Sequence, residues 1–225
     1  MHPEFDDRYD HRHLSHIYPV FPGQEIQRED NPELFKAFET AVRKRLLGAQ
    51  TAWSFTHMAC IYARLGDGNS ALECLELLSR ACLLNNFYTL HNDWRGMGLS
   101  LNLASAPVQM DANMGWVAAV QEMLLYSSKN MIKLLPALPD KWNSGDVKDF
   151  RFCTGIISFR WNREQKNFKC EITAKRDTEI TVKLPDFCTD YVFEGAGVEV
   201  KPSPLGNNLI NVKMNAGKNL QICSR

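Results

Sequence analysis

The sequence predicts an α+β protein whose first part is helical and whose second part is rich in β-strands. Before residue 130, apolar residues recur at three- and four-residue steps in several segments. After residue 130, short segments alternate apolar and polar residues and are separated by turn-forming residues. Helices first and strands last favour two domains, residues 1–129 and residues 130–225.

Four segments have the apolar spacing of helices, at about residues 32–47, 53–65, 69–82 and 112–126. Asn31 and Pro32 supply a cap and a first helical residue for the first segment. Gly66 ends the second, and Asn69 is predicted to cap the third. Such a succession of helices indicates stacked antiparallel helices rather than βαβ units.

The second part alternates apolar and polar residues with a period of two. Six such runs predict strands at residues 156–161, 168–173, 179–184, 190–194, 209–214 and 219–223. Evenly spaced short strands with turn-rich connections are typical of an antiparallel β-sandwich. Residues 134–139 form an extended apolar segment that prolines interrupt.

Composition excludes several classes of partner. The 225 residues contain 26 basic and 26 acidic side chains, so no cationic field would attract nucleic acid or an anionic membrane. No apolar run approaches the roughly 20 residues of a membrane span. Residues 1–7 are polar and acidic, unlike a signal peptide. The Gly-rich loops that bind phosphates or dinucleotides are absent, and no cofactor is expected.

Asp111 is the one acid in the otherwise uncharged stretch Pro107 to Trp116, and it lies at or just before a predicted helix start. There a carboxylate can accept free backbone N–H groups, so a helix cap is one interpretation. A general base or a substrate-binding carboxylate at the mouth of a cavity is the other.

Half of the six histidines occur in the segment from His11 to His16. The spacing of His11, His13 and His16 matches the metal-binding run of metallo-β-lactamase-type hydrolases, except that Ser15 replaces the aspartate. A metallohydrolase is therefore one alternative. Histidines hydrogen-bonded beneath a loop are a second alternative. In a third, Arg12 and His13 donate hydrogen bonds to a polar ligand such as a sugar.

The connection between the third and fourth helices, residues 85–110, is unusually long for a structureless loop and carries His91 and Trp94. The indole faces of Trp53 and Trp94 suit the apolar face of a pyranose ring. Burial in the core is the competing interpretation for each, and it is favoured for Trp53 because that residue lies within a helical pattern.

Several segments in order resemble glycoside hydrolase family 95, the inverting α-L-fucosidases and α-L-galactosidases. They are His11-Arg12-His13-Leu14-Ser15-His16-Ile17-Tyr18-Pro19, Phe21-Pro22-Gly23, Thr51-Ala52-Trp53-Ser54, Ala63-Arg64-Leu65-Gly66-Asp67-Gly68, Gln109-Met110-Asp111-Ala112-Asn113-Met114-Gly115, Glu122-Met123-Leu124-Leu125 and Leu134-Leu135-Pro136-Ala137-Leu138-Pro139. Trp142 and Gly145 follow these segments. The strand-rich remainder resembles the family's C-terminal β domain in type.

The resemblance implies that the helices are part of an (α/α)6 barrel whose loops form a sugar pocket. Asp111 matches the general base of the family motif Q-I-D-G-N-F-G. Arg12 and His13 match residues that hydrogen-bond the sugar. The other candidate substrate-binding residues are His16, Trp53, His91, Trp94 and Asn113. A terminal α-L-fucose or a related sugar on an oligosaccharide is the implied substrate, and a periplasmic or secreted location is implied for the protein.

The sequence departs from the family pattern at the lead into this motif. Ser105-Ala106-Pro107-Val108 replaces the usual His-Pro-Pro-Phe, so a pocket histidine is missing, and His91 is a candidate to substitute for it. Ala112 and Met114 replace the glycine and the phenylalanine of the motif. The preferred sugar can therefore differ from fucose.

The larger departure from the family is the length of the chain. Family members carry a β domain and further barrel helices before the segments that are matched here. The general-acid glutamate and the asparagines that assist the base lie in that preceding part. An inverting glycosidase needs two carboxyl groups about 6.5–9.5 Å apart. We therefore expect a C-terminal portion of such an enzyme, inactive alone, which pairs with the missing portion or self-associates. A non-catalytic carbohydrate-binding or partner subunit is the alternative of another class.

Overall fold

A computed structural model of the protein describes residues 8–46, 49–101 and 103–225. It divides into two compact units, Met1–Met123 and Leu124–Arg225. The acidic segment 1–7 and the predicted helix end at Leu47 lie outside the described residues. Within the described ranges, no helix has both the length and the apolar character needed to cross a membrane.

The helical unit confirms the prediction of a helical first part. Its α-helices in the described ranges are α1 (Pro32–Arg43), α2 (Ala52–Leu65), α3 (Gly68–Ala81) and α4 (Met110–Leu124), and a short 3-10 helix covers Ser15–Ile17. The side chains of Phe55, Met58 and Ile61 on α2 are fully buried. Helix α2 is apolar on most of its circumference, as expected of the central helix of a packed unit.

Side-chain caps define two of the helix starts. The Asn31 side chain accepts a hydrogen bond from the Leu34 N–H at 3.1 Å, as its position before Pro32 predicts. The predicted Asn69 cap of α3 is wrong, because α3 already begins at Gly68. Asp67 caps this helix and accepts the Ser70 N–H at 3.0 Å.

The connection from α3 to α4 is ordered by side-chain hydrogen bonds rather than by regular structure. The buried carboxylate of Asp93 accepts the backbone N–H groups of Arg95 at 3.0 Å and Leu99 at 3.3 Å. The Arg95 guanidinium donates to the carbonyl oxygens of Arg80 and Leu83. These bonds attach the loop to the C-terminal end of α3.

The β unit contains two five-stranded sheets. The strands are β1 (Leu125–Ser127), β2 (Met131–Leu134), β3 (Ser144–Phe152), β4 (Gly155–Asn162), β5 (Asn167–Ala174), β6 (Thr178–Lys183), β7 (Tyr191–Glu194), β8 (Val198–Pro202), β9 (Leu209–Met214) and β10 (Asn219–Ser224). One sheet has the order β1-β2-β6-β9-β8 and the other β3-β4-β5-β10-β7. Buried and exposed side chains alternate along β5 and β9, as in strands that cover a core on one face.

The six strands expected from alternation correspond to β4, β5, β6, β7, β9 and β10, whereas β1, β2, β3 and β8 were not predicted. Strand β2 pairs in parallel with β6 and is buried at three of four positions, so its side chains do not alternate. A register shift between Val147 and Phe150 interrupts the period of β3. The prediction of a purely antiparallel unit is wrong for the β2–β6 pair.

Candidate active site

Aromatic rings from the opening loop meet the first turns of α2. The His13 ring lies 5.1 Å from that of His11 and 5.0 Å from that of Trp53. The His57 ring lies 6.5 Å from Trp53 and 5.8 Å from Phe21. We call these five residues the aromatic cluster. The cluster places His13 of the opening loop beside Trp53 of α2, which are two of the predicted site residues.

A side chain from the Asp111 segment reaches the same helix end. Gln109 accepts a hydrogen bond through Oε1 from the Trp53 backbone N–H at 3.3 Å. This N–H belongs to the first turn of α2, whose amides have no partner within the helix. Gln109 therefore acts as a cap supplied from a distant part of the chain, and Asp111 follows it by two residues.

Backbone hydrogen bonds attach the third segment of the site. The Ala52 N–H donates to the His91 carbonyl at 2.9 Å, and the His91 N–H donates to the Pro107 carbonyl at 2.8 Å. The Gln109 N–H donates to the Thr89 carbonyl at 2.8 Å. The start of α2, the loop at residues 89–91 and the segment before α4 are thus joined at one end of the helical unit.

Asp111 is the second residue of α4, and its side chain is exposed. Among the described residues, its carboxylate accepts no backbone N–H and forms no ion pair. The cap interpretation is therefore not supported by a hydrogen bond. The carboxylate is accessible to water.

Arg12 and the imidazoles supply polar groups beside this helix end. Arg12 is half-buried, and its Nε has no hydrogen-bond partner among the described residues. Loss of hydration, and then the charges of Arg12 and His11, lower the pKa of His13. Burial lowers the pKa of His57, although a hydrogen bond to the Phe21 backbone opposes this shift. Neutral imidazoles both donate and accept hydrogen bonds, as recognition of sugar hydroxyls requires.

Two predicted site residues use their side chains within the protein. The Arg45 guanidinium donates to His16 Nε2 at 3.0 Å. Asn113 accepts hydrogen bonds from the N–H and the hydroxyl of Thr89, at 3.1 and 2.8 Å, and donates to the Phe87 carbonyl at 2.6 Å. Both residues therefore order the loops around the site.

His91 and Trp94 lie on the long connection, with different degrees of contact to the site. His91 is joined to α2 through its backbone, and its Nδ1 lies 3.3 Å from the Asn92 side-chain oxygen. Trp94 is 44% exposed and stacks against the Arg95 guanidinium, whose carbon is 4.3 Å from the ring centroid. Across the described ranges, no ring contact joins Trp94 to the aromatic cluster.

The geometry of the histidines does not support the metallohydrolase alternative. His11 Nδ1 accepts the His13 N–H at 3.2 Å, and His16 Nε2 accepts from Arg45. A nitrogen that accepts such a bond cannot ligate a metal with the same lone pair. Within the described residues, no group of three or more histidine, cysteine, aspartate or glutamate side chains is arranged to hold a metal ion.

Arg64 is a residue whose role the sequence did not reveal. Its guanidinium binds the Glu122 carboxylate of α4 through two hydrogen bonds, of 2.5 and 2.9 Å. It also donates to the carbonyl groups of Val20 and Gly23 in the opening loop, at 3.4 and 3.3 Å. Arg64 and Glu122 belong to separate motifs of the family resemblance, but spacing alone could not show that they pair.

Comparisons with known proteins identify the family of the chain. Residues 1–124 match the model of the glycosyl hydrolase family 95 catalytic domain, and residues 126–222 match that of the glycoside hydrolase family 95 C-terminal domain. Alpha-L-fucosidase 2 of Arabidopsis thaliana is 38% identical over 160 residues, which cover 69% of this chain and 18% of that protein. Probable alpha-fucosidase A of Aspergillus niger is 28% identical over 169 residues, covering 68% of this chain and 20% of that protein.

Probable alpha-fucosidase A of Aspergillus oryzae is 28% identical over 176 residues, covering 69% of this chain and 23% of that protein. The chain thus spans about a fifth of the length of the curated relatives that it matches. A crystal structure of a GH127 beta-L-arabinofuranosidase from Geobacillus stearothermophilus T6 aligns with 87% of this chain and 39% of that one, at 11% identity and a TM-score of 0.36. The two family matches together cover nearly the whole sequence, and the chain belongs to glycoside hydrolase family 95.

Proposed function

We propose that the chain is the C-terminal part of an inverting, exo-acting α-L-fucosidase or α-L-galactosidase in which Asp111 is the general base. The family match and the names of the relatives support the reaction class. The observation that carries the proposal is the series of contacts from His13 through Trp53 to Gln109. It brings the opening loop to the helix start that bears Asp111.

The proposed chemistry uses the water-accessible carboxylate of Asp111. The carboxylate removes a proton from the water that attacks the anomeric carbon, while a second carboxyl group, about 6.5–9.5 Å away, protonates the leaving oxygen. Arg12 and neutral His13 hold sugar hydroxyls, and the Trp53 ring provides a face for the pyranose. The general acid comes from another part of the complete enzyme.

The other site residues take two roles in this proposal. His91 and Trp94, on the long connection, contact the substrate. His16 and Asn113 act as positioning residues, because their side chains hold Arg45, Phe87 and Thr89 rather than facing a ligand.

We further propose that residues 1–129 are the C-terminal part of an (α/α)6 barrel and that residues 130–225 are the accompanying β domain. The exposed apolar side chains of Met110, Met114 and Val117 on α4 support this proposal. They follow one another at helical spacing, so they share a face that another helix can cover. The isolated chain is expected to be inactive, because it contributes only one of the two catalytic carboxyl groups.

A chimera tests the role of Asp111. The matching segment of Arabidopsis alpha-L-fucosidase 2 is replaced by the corresponding segment of this chain, and hydrolysis of an aryl α-L-fucoside is measured. Loss of a general base typically lowers the rate by about 10²- to 10⁴-fold. We expect Asp111→Asn to lower kcat of an active chimera by this amount, with unchanged thermal unfolding.

Asp149→Asn is the matched control, because Asp149 is exposed on β3 in the other unit and its φ of 58° is one that asparagine tolerates. This variant should retain the chimera's activity. An active chimera in which Asp111→Asn hydrolyses the fucoside at the full rate would contradict the assignment. The configuration of the released sugar, followed by NMR, tests inversion separately.

A further inference from the structure

A cleft of about 810 Å³ opens at one edge of the β unit, where the outermost strands of its two sheets come together. Strand β7 ends one sheet and β8 ends the other, and the chain passes from β7 to β8 through a short turn at Gly195. The cleft is lined from both sides, by Tyr191 and Phe193 of β7 and by Val200 to Pro202 of β8. It is remote in sequence from every residue of the candidate active site.

The rim of the cleft is held by hydrogen bonds. The Ser203 N–H donates to the Leu209 carbonyl at 2.9 Å, and the Leu184 N–H donates to the Asn208 carbonyl at 2.8 Å. The Tyr191 hydroxyl donates to the Pro185 carbonyl at 2.7 Å, which fixes its ring. A site whose walls are fixed in advance loses little conformational entropy when a ligand binds.

The chemistry of the lining suits a neutral, polyhydroxylated ligand. Lys201 is the one charged side chain among the described residues that line the cleft, and it is ion-paired with Glu199. Thr189 and Asn207 line the cleft, and their side chains have no hydrogen-bond partner among the described residues. Phe193 is 37% exposed and offers an aromatic ring beside these polar groups. Apolar rings next to free amide and hydroxyl groups match the two faces of a pyranose.

An extended peptide fits this edge poorly. A peptide that adds a strand must bond to the backbone N–H and C=O groups of a free edge. Pro202 at the end of β8 lacks an N–H, and Pro204 follows it in the rim. The Lys201–Glu199 pair on the same short strand also protects the edge against strand addition.

We propose that this cleft binds a neutral oligosaccharide and is a second carbohydrate site, separate from the one around Asp111. The choice of a fucosylated sugar as its ligand rests on the proposed glycosidase function. Phe193 stacks on a sugar ring, while Asn207 and Thr189 hydrogen-bond its hydroxyls. Such a site holds a glycan chain on the enzyme without taking part in hydrolysis.

The test uses the whole chain, labelled with ¹⁵N and titrated with 2′-fucosyllactose to about 10 mM, a concentration that nearly saturates a site of millimolar affinity. We expect chemical-shift changes at the amides of Thr189, Phe193 and Asn207. Phe193→Leu keeps an apolar side chain but removes the ring, and we expect it to weaken binding roughly five-fold. Asn207→Ala should weaken binding to a similar extent.

Asn219→Ala is the matched control, because Asn219 is an exposed asparagine of β10 outside the cleft lining. This variant should bind fucosyllactose with the same affinity as the unaltered chain. Thermal unfolding verifies that each variant is folded. The proposal is overturned if the cleft amides do not shift, if Phe193→Leu and Asn207→Ala bind as tightly as the control, or if anionic sialyllactose or a proline-rich peptide binds more tightly than fucosyllactose.

The outcomes also separate this proposal from the proposed function. Shifts confined to Trp53 and Asp111 would overturn the cleft site and leave the active-site proposal standing. Conversely, the isolated chain could bind the sugar in the cleft while the Asp111→Asn chimera hydrolyses the fucoside at the full rate. That result would support the cleft site and contradict the proposed function. Asp111→Asn itself should leave the affinity of the cleft unchanged.

Discussion

Phe87 has an unfavourable backbone conformation, and its apolar side chain is exposed to solvent. Its φ is 65°, in the left-handed region that favours glycine, and its side chain is 74% exposed. The Asn113 side chain bonds to its carbonyl, and the Phe87 N–H donates to the Leu84 carbonyl at 2.9 Å. These bonds hold a turn that glycine would form with less strain.

Phe87→Gly should therefore stabilise the helical unit. The left-handed conformation costs a non-glycine residue about 1–2 kcal/mol, and the extra chain entropy of glycine offsets about 0.5–1 kcal/mol of the gain. Little burial is lost with an exposed ring. We expect the midpoint of thermal unfolding, followed by circular dichroism at 222 nm, to rise by about 1–3 °C.

The neighbouring Tyr88→Gly is the matched control for this substitution. Tyr88 is 48% exposed and its φ is not positive, so glycine gives no relief of strain there, adds chain entropy to the unfolded state and removes a half-buried ring. The control should lower the midpoint. A lower midpoint for Phe87→Gly as well would show that the Phe87 conformation costs the fold nothing.

At single residues, the sequence identified candidate side chains better than it identified their partners. The cluster of histidines and the lone Asp111 are visible in the sequence because their residue types are unusual in their surroundings. The hydrogen bonds of His16 with Arg45 and of Asn113 with Thr89 join segments that are 24 or more residues apart. Local patterns carry no information about such contacts.

Between elements, the Arg64–Glu122 pair is the main charged link of the helical unit. It joins α2 to α4 across 58 residues of sequence, and the two side chains are only 10% and 19% exposed. Arg64 also bonds to the opening loop at Val20 and Gly23. The pair therefore holds together the three segments that carry the candidate active site.

A double-mutant cycle measures this link. Arg64→Met or Glu122→Leu leaves the other charge largely buried without this partner, and each should lower the free energy of unfolding by about 3–5 kcal/mol. The double variant should lose less than the sum of the two, with a coupling of about 1–3 kcal/mol. Urea denaturation of the four proteins gives these values, and additive losses would show that the two side chains do not stabilise each other.

Among the elements, the periodicity of apolar residues predicted the helices and strands that bury one face. It missed strands that do not bury one face in this way. Helices α1 and α3 and strands such as β5 and β9 each cover a core with one face, so their apolar residues recur regularly. Strand β2 is almost wholly buried, and β8 lies at an edge and is mostly exposed. Strand β2 therefore lacks an alternation, whereas β8 alternates over Val198 to Lys201 but is short.

For the whole chain, the change from helical to strand periodicity predicted the two-part architecture, although the first strand begins earlier than the pattern indicated. Strand β1 starts at Leu125, directly after α4. Helix α4 is apolar at its end and β1 is buried, so the change of structure leaves no polar interval in the sequence. The pairing order of the ten strands depends on contacts between distant segments and was not predicted.

The exposed apolar face of α4 leads us to predict that the chain associates with itself in solution. Met110, Met114 and Val117 are 44%, 65% and 63% exposed and share one helix face. Contiguous apolar surface of this kind favours association. We expect the chain to self-associate reversibly, and Met114→Glu combined with Val117→Lys to shift it towards the monomer without changing its net charge.

Sedimentation velocity over a roughly hundred-fold range of concentration measures this equilibrium, which depends on concentration by mass action. Leu205→Glu combined with Leu103→Lys is the matched control, since both leucines are exposed, at 46% and 47%, but neither lies on α4. The control should associate like the unaltered chain, because association depends on the α4 face rather than on exposed apolar residues in general. If the control pair also yields monomers, the contact is not specific to α4, and the argument that this face receives another helix of the barrel loses its support.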